Sequence, residues 1–221
     1  TIEPNVGVLP VPDDRLHKIA ETIQPETLTP ATMEFVDIAG LVQGASHGEG
    51  LGNEFLGHIQ TVDAMAHVVR LFADEDVAHV DGKLEPVSDV ATVNGELIAK
   101  DLERARNRYE EVHKAARTGD REATKQADML KGIVGVLEEG RFVSELELEK
   151  EGRALVREMG LLTRKPIIYV GNVSEEQVTE LGAGADPDEL GGPVAEFARF
   201  AAESDLPVAW ICAQLESELS D

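Results

Sequence analysis

The stretch Met33-Glu34-Phe35-Val36-Asp37-Ile38-Ala39-Gly40 decides how this sequence folds. Residues 31–38 are rich in β-prone side chains and read as a strand that ends in an acid. A glycine stands three residues after that acid. In α/β proteins, ligands gather beyond the carboxyl ends of the strands. An Asp there can hold the water shell of a Mg²⁺ ion. A glycine there lets a backbone N–H approach a phosphate with no Cβ in the way. The same spacing also describes an ordinary strand-end turn, so the rest of the chain has to decide.

Downstream, Gly40, Gly44, Gly48, Gly50 and Gly52 crowd one segment, which predicts irregular backbone. Residues 53–63 predict a helix and residues 64–72 (AMAHVVRLF) a buried strand. Upstream, residues 6–11 read as a short strand, with Pro10 and Pro12 marking an edge or an early end. A helix over 13–23 follows, capped by Asp13 or Asp14. Near the other end, PIIYVGN (166–172) and PVAWICA (207–213) are short apolar runs. Between them, residues 188–202 predict a helix with Val194, Phe197, Ala198 and Ala201 inward. Apolar strands alternating with helices indicate a mostly parallel α/β sheet.

The middle of the chain differs. Val90, Val93, Leu97, Leu102, Ala105, Tyr109 and Val112 recur at spacings of three to five, predicting a helix over about 88–117. Thr118-Gly119-Asp120 breaks it, and a second helix runs to about residue 139. The pair reads as an antiparallel, coiled-coil-like hairpin. A third helix over 147–159 leads back to the strand at Pro166. The expected organisation is a nucleotide-type domain over 1–87 and 163–221, with a helical insertion over 88–162.

Composition bounds the function. The chain has 221 residues, 43 acids, 20 Lys or Arg and a formal net charge of −23. Such a field repels phosphate on average and speaks against indiscriminate binding to DNA or anionic membranes. No apolar run is long enough for a membrane helix, and no membrane partner is expected. The single Cys212 excludes a disulfide framework and suits a reducing cytoplasm. The charge is uneven: residues 100–131 carry nine basic and seven acidic groups, a net +2 against −25 elsewhere. That excess fits either a solvated helix face laced with ion pairs or a docking surface for a polyanion.

Two further strand ends bear on the chemistry. PIIYVG is followed by Asn172-Val173-Ser174-Glu175, and the last strand by Cys212-Ala213-Gln214-Leu215-Glu216. Together with DIAG, these resemble the third, fourth and fifth motifs of guanine-nucleotide-binding P-loop proteins. In that pattern the fourth motif is Asn-Lys-x-Asp, whose Asp reads the guanine edge. Here the acid is Glu175 and the Lys is replaced by Val173. One extra methylene moves a carboxylate by about 1.5 Å, and a mispaired buried polar group costs about 1–3 kcal/mol. Guanine preference is therefore expected to be relaxed.

The whole chain resembles the YchF/Obg-like ATPase family. The resemblance runs in order through TIEPNVGVLPVPDDRL, TMEFVDIAGLVQGASHGEGLGNEFL, DAMAHVVRLF, the helical insertion, LLTRKPIIYVGNVSE and PVAWICAQLESEL. It implies a P-loop NTPase that prefers ATP to GTP, uses Mg²⁺ and associates with ribosomes. It assigns Asp37 and the switch threonine Thr1 to the metal, and Gly40 to the γ-phosphate. It assigns Asn172, Val173 and Glu175 to the base, with Val173 as an apolar wall, and the Ala213 backbone to the base as well. Leu41 stands where many GTPases hold a water-positioning Gln, and His79 matches the family histidine for that role. The other histidines read as bland: His67 packed in a strand, His17, His58 and His113 on helices, His47 in the glycine segment.

The sequence contains no GxxxxGK[ST] phosphate loop. By the resemblance, that loop and its strand would precede Thr1, and a TGS domain would follow Asp221. On this reading the chain is an internal fragment. It is then expected to hydrolyse no ATP alone, because the loop supplies several charge-assisted hydrogen bonds of about 1.5–3 kcal/mol each. Two alternatives stand beside it: a non-enzymatic module that docks ribosomal RNA through the 88–139 hairpin, and a degenerate P-loop pseudoenzyme.

Overall fold

Alternating apolar strands set the local structure. In this computed structural model, residues 5–38, 57–73 and 84–220 are described, and they fall into two compact units, 1–41 and 42–221.

In the first unit, β1 (Val6–Pro10) pairs antiparallel with β2 (Thr32–Val36), Val8 opposite Glu34. Pro10 has no N–H to give, and the strand ends there. Helix α1 (Asp14–Ile23) connects them, its N-terminus capped by Asp13, which accepts from the Arg15 N–H at 2.9 Å. Val8, Leu9, Met33 and Phe35 are all about half exposed. Thus the strand predicted over 31–38 forms, but its partner among the described residues is antiparallel β1.

The second unit holds a parallel sheet in the order β3 (Met65–Arg70), β4 (Ile167–Asn172), β5 (Val208–Ile211). Its register puts Arg70, Asn172 and Ile211 at one level, so the carboxyl ends of the strands are flush. The sequence predicts a buried strand here, and β3 is buried on one face. Val69 and Leu71 are covered, whereas Val68 is 58% exposed. Helix α7 (Gly192–Glu203) covers that inner face with Val194, Phe197 and Ala201. Aromatic rings lock it: Tyr169 meets Phe197 edge-on at 5.5 Å, and Phe197 meets Trp210 at 6.1 Å. The single helix predicted over 188–202 is instead two, α6 (Pro187–Leu190) and α7. Gly191 between them takes φ +66°, which an L side chain rarely adopts.

The helical insertion forms as the spacing predicts. Helix α2 (Pro86–Ala116) has 31 residues, about 46 Å at 1.5 Å per residue. A turn over 117–120 leads into α3 (Arg121–Glu138), and Asp120 caps α3 by accepting from the N–H groups of Glu122 and Ala123. Ala105, Ile133, Leu137, Val143, Val156 and Leu161 close one core, to which α4 (Lys150–Met159) contributes. Val112, Ala123, Ala127, Leu130 and Leu155 close another. Val90, in the first turns of α2, belongs instead to the sheet core beside Val69 and Tyr169. One helix therefore enters both cores.

Two hydrogen-bond systems fix the base of the hairpin. Asp101 is fully buried, and its carboxylate accepts from Leu162 N–H (2.9 Å), Thr163 N–H (2.7 Å) and Thr163 Oγ1 (2.7 Å). Burial pushes its carboxyl above the usual carboxylate range, against those three bonds and nearby Arg104. Arg104, one turn on, donates to the carbonyls of Met159 (3.1 Å) and Gly160 (2.9 Å), where α4 ends. Those carbonyls have no helical partner, so the guanidinium satisfies them.

Gly171 reports how closely β4 and β5 approach. A Cβ there would lie 2.5 and 2.6 Å from ring carbons of Trp210 and 3.0 Å from Leu71. Gly171→Ala is expected to lower unfolding free energy by about 1–3 kcal/mol. Gly132→Ala, at an exposed position of α3 with open space around it, is expected to raise it by up to about 1 kcal/mol. Urea titration of both variants checks this.

Candidate nucleotide site

The flush carboxyl ends of β4 and β5 build this site. Leu71 N–H donates to the Asn172 carbonyl at 2.8 Å, and Val173 N–H donates to the Ile211 carbonyl at 2.8 Å. The pairing thus continues one residue past each strand. Val173 is 1% exposed and packs in the sheet core with Val69, Val194 and Phe197. Its apolar side chain supports the site from beneath.

Ser174 then turns the chain into helix α5 (Glu175–Gly182). Its Oγ accepts from Gln177 N–H at 3.3 Å, and Gln177 Oε1 accepts from Ser174 N–H at 3.0 Å. This reciprocal capping box fixes the entry angle. Glu175 is the first helical residue and is exposed. An acid at that position is favoured by the helix dipole, and its carboxylate meets no protein donor among the described residues, so it is available to a ligand.

Asn172 joins the two strand ends. Its Oδ1 accepts from the backbone N–H of Ala213 at 3.0 Å, where β5 passes into α8 (Ala213–Ser220). The N–H that the resemblance gives to the base is therefore spent on Asn172, and the Asn172 amide N–H groups remain for a ligand. Cys212 beside it is buried and free, a small core residue.

Asp37 lies just past β2 and is exposed, with its backbone N–H on the Asn5 carbonyl at 2.8 Å. Thr1, Gly40, Leu41, His47 and His79 lie outside the described residues. Of the sequence-predicted site, the structure brings together Asn172, Val173, Glu175 and Ala213. His67 packs in β3 as expected, its ring 5.6 Å from that of Tyr169. Burial lowers its pKa to about 4, so it is neutral at pH 7. Among the described residues no cluster of His, Cys, Asp or Glu is arranged for a metal ion. Sequence reasoning missed Ser174 and Gln177, although Ser-x-x-Gln before an amphipathic run is a capping-box signature.

The motif order and the paired strand ends agree with known proteins. The chain is 43% identical over all 221 residues to a Bacillus subtilis protein named ribosome-binding ATPase YchF, and 42% identical to the Haemophilus influenzae protein of the same name. The chain belongs to the YchF family of Obg-like P-loop NTPases. A family model described as a 50S ribosome-binding GTPase matches residues 11–108. The solved Schizosaccharomyces pombe YchF GTPase superimposes with a TM-score of 0.79 at 28% identity, covering 99% of this chain and 58% of that one. The chain spans 58% of the length of both curated YchF relatives as well.

Removing the Asn172 side chain should release the start of α8. Asn172→Ala is expected to speed hydrogen exchange at the Ala213 amide and to cost about 0.5–1.5 kcal/mol of stability. Exchange measured by NMR tests this; an unchanged Ala213 rate contradicts the bridging role.

Proposed function

We propose that the protein this chain belongs to hydrolyses ATP in preference to GTP and does so in association with the ribosome. The observation that carries the reading is the Asn172–Glu175 corner, in which a capped helix start presents a glutamate where guanine-reading proteins present an aspartate. The longer carboxylate cannot take the guanine-edge geometry, and the discrimination against adenine falls away. The relatives carry ribosome-binding ATPase in their names, which supports both halves of the reading.

Thr1 and Asp37 would hold Mg²⁺ through a hydroxyl and a carboxylate. Such hard oxygen donors suit that ion, and the Asp37 side chain is exposed with no hydrogen bond or ion pair among the described residues. When bound, the ion neutralises charge on the β- and γ-phosphate oxygens. The Gly40 N–H approaches the γ-phosphate. Leu41 cannot orient water, and His79 holds the attacking water through its imidazole. The chain alone, with no GxxxxGK[ST] in its sequence, binds Mg-ATP weakly and does not turn it over. The 88–139 hairpin contacts the ribosome, and the protein works in the cytoplasm. Among the described residues no helix is long and apolar enough to cross a membrane.

In a protein extended to carry a phosphate loop, His79→Ala should lower ATP turnover about a hundredfold with unchanged ATP affinity. Steady-state hydrolysis beside calorimetry measures both; wild-type turnover in the variant contradicts the role. Calorimetry on the chain alone should show no micromolar Mg-ATP binding.

A further inference from the structure

Two cations tie the end of one short helix to the base of the hairpin. Residues 57–61 are helical and lead through Val62 toward β3, with Ile59 buried beneath them. A helix end leaves carbonyls with no partner inside the helix. Lys165, just before β4, answers two of them: its Nζ donates to the Gln60 carbonyl at 3.1 Å and to the Val62 carbonyl. The Thr61 hydroxyl donates to the His58 carbonyl at 2.8 Å. The Gln60 side chain faces Arg104. With its amide oxygen toward the guanidinium, it accepts from both Nη1 and Nη2 of Arg104. A Cβ on Gly160 would lie 3.7 Å from Arg104 Nη1 and 4.0 Å from the Gln60 side-chain amide, so these three residues meet at one place.

Arg104 therefore serves two elements at once. Its Nη1 caps α4 at the carbonyls of Met159 and Gly160, and the same guanidinium holds Gln60. A rigid planar fork fixes the placement of both partners, which a point charge does not. Lys165 follows Thr163 by two residues, and the N–H groups of Leu162 and Thr163 are held by Asp101, one turn before Arg104 on α2. Hydrogen bonds thus join the 57–61 helix to the chain between α4 and β4 from two sides. The position of that helix in the chain gives the arrangement its interest. It is the first described element after Asp37, the residue that, with Gly40, the nucleotide reading gives to the metal and the γ-phosphate.

We propose that Arg104 and Lys165 are positioning residues of the nucleotide site: by holding the 57–61 helix they couple occupancy of the phosphate site to the seating of the hairpin base. The inference rests on the ATP-hydrolysing reading and assigns that site its regulation. Coupling of this kind is reciprocal, so whatever steadies the hairpin base strengthens nucleotide binding by the same factor. The geometry also makes the coupling separable from the cap on α4. Only the Gln60 side of the guanidinium reaches the 57–61 helix. That contact can be removed with Arg104 still on the carbonyls of Met159 and Gly160.

The test uses a protein extended to carry a phosphate loop, as for His79. Hydrogen–deuterium exchange is read at the amides of residues 160–163, with and without the Mg²⁺ complex of AMP-PNP, a non-hydrolysable ATP analogue. Calorimetry measures binding of the same analogue, and circular dichroism checks folding. In the wild type the analogue should slow exchange at these amides about fivefold or more. Gln60→Ala removes the acceptor from Arg104, and Lys165→Met removes the donor from both carbonyls. Each variant should lose that slowing while still binding the analogue. Gln60→Glu returns an acceptor to the guanidinium and should restore it. A merely structural role lowers protection equally in both conditions and leaves their ratio at the wild-type value. Should Lys165→Met fail to fold, the two Gln60 variants carry the test. Wild-type slowing in Gln60→Ala overturns the coupling and leaves the ATP reading standing. So does a wild-type protein that binds the analogue with no slowing at 160–163. Failure of the wild-type protein to bind the analogue overturns both.

Discussion

Asp101 is the constraint on which the second unit depends. A fully buried carboxylate is costly, and here it receives three hydrogen bonds from the two residues that begin the approach to β4. Those donors have nowhere else to go. Arg104 completes the arrangement three residues on by satisfying the end of α4. One face of one helix thus serves both a helix end and the turn that follows it. Because Val90 of the same helix lies in the sheet core, the long hairpin leaves the body at a fixed base. The other end of β4, some eight residues later, carries Asn172 and the capped start of α5. β4 is a strut, anchored to the insertion at one end and carrying the base-facing residues at the other.

Charge is distributed to match. The ion pairs near the base of the hairpin are mostly exposed, and exposed pairs contribute little stability. Their consequence is to remove Arg106 and Arg108 from the pool of cations available to a partner. Among the described residues, Lys114, Arg117, Arg121 and Lys125 are left at the tip and Lys131 farther along α3. A net charge of −23 describes the chain as a whole and not the surface that projects farthest from its sheet.

Much of this was legible in the sequence. The spacing of Val90, Leu97, Ala105 and Val112 specified α2 to within two residues at its start, because an amphipathic period sustained over eight turns has no competing reading. The apolar runs at 64–72, 166–172 and 207–213 gave the three parallel strands. The antiparallel β1–β2 pair was not foreseen, since pairing partners depend on tertiary approach and not on local pattern. The break at Gly191 was overlooked because the apolar period continues across it. At the site, the motif order located Asn172, Glu175 and Ala213. No sequence rule says that the Asn172 amide would take the Ala213 N–H, and only proximity of two strand ends reveals it. Asp101 was counted among the surface acids of a charged helix. Its burial follows from a turn 61 residues away, which spacing within the helix cannot show.

The claim that β4 is a strut, clamped at its base and continuous to its tip, is open to one direct measurement. Asp101→Asn replaces an acceptor that faces three donors with an amide that brings donors of its own. Hydrogen–deuterium exchange on this variant, compared with the unaltered chain, reads the consequence residue by residue. Protection is expected to fall together across Leu162, Thr163 and the whole of β4 to Asn172. Loss confined to Leu162 and Thr163, with β4 as protected as before, would contradict it.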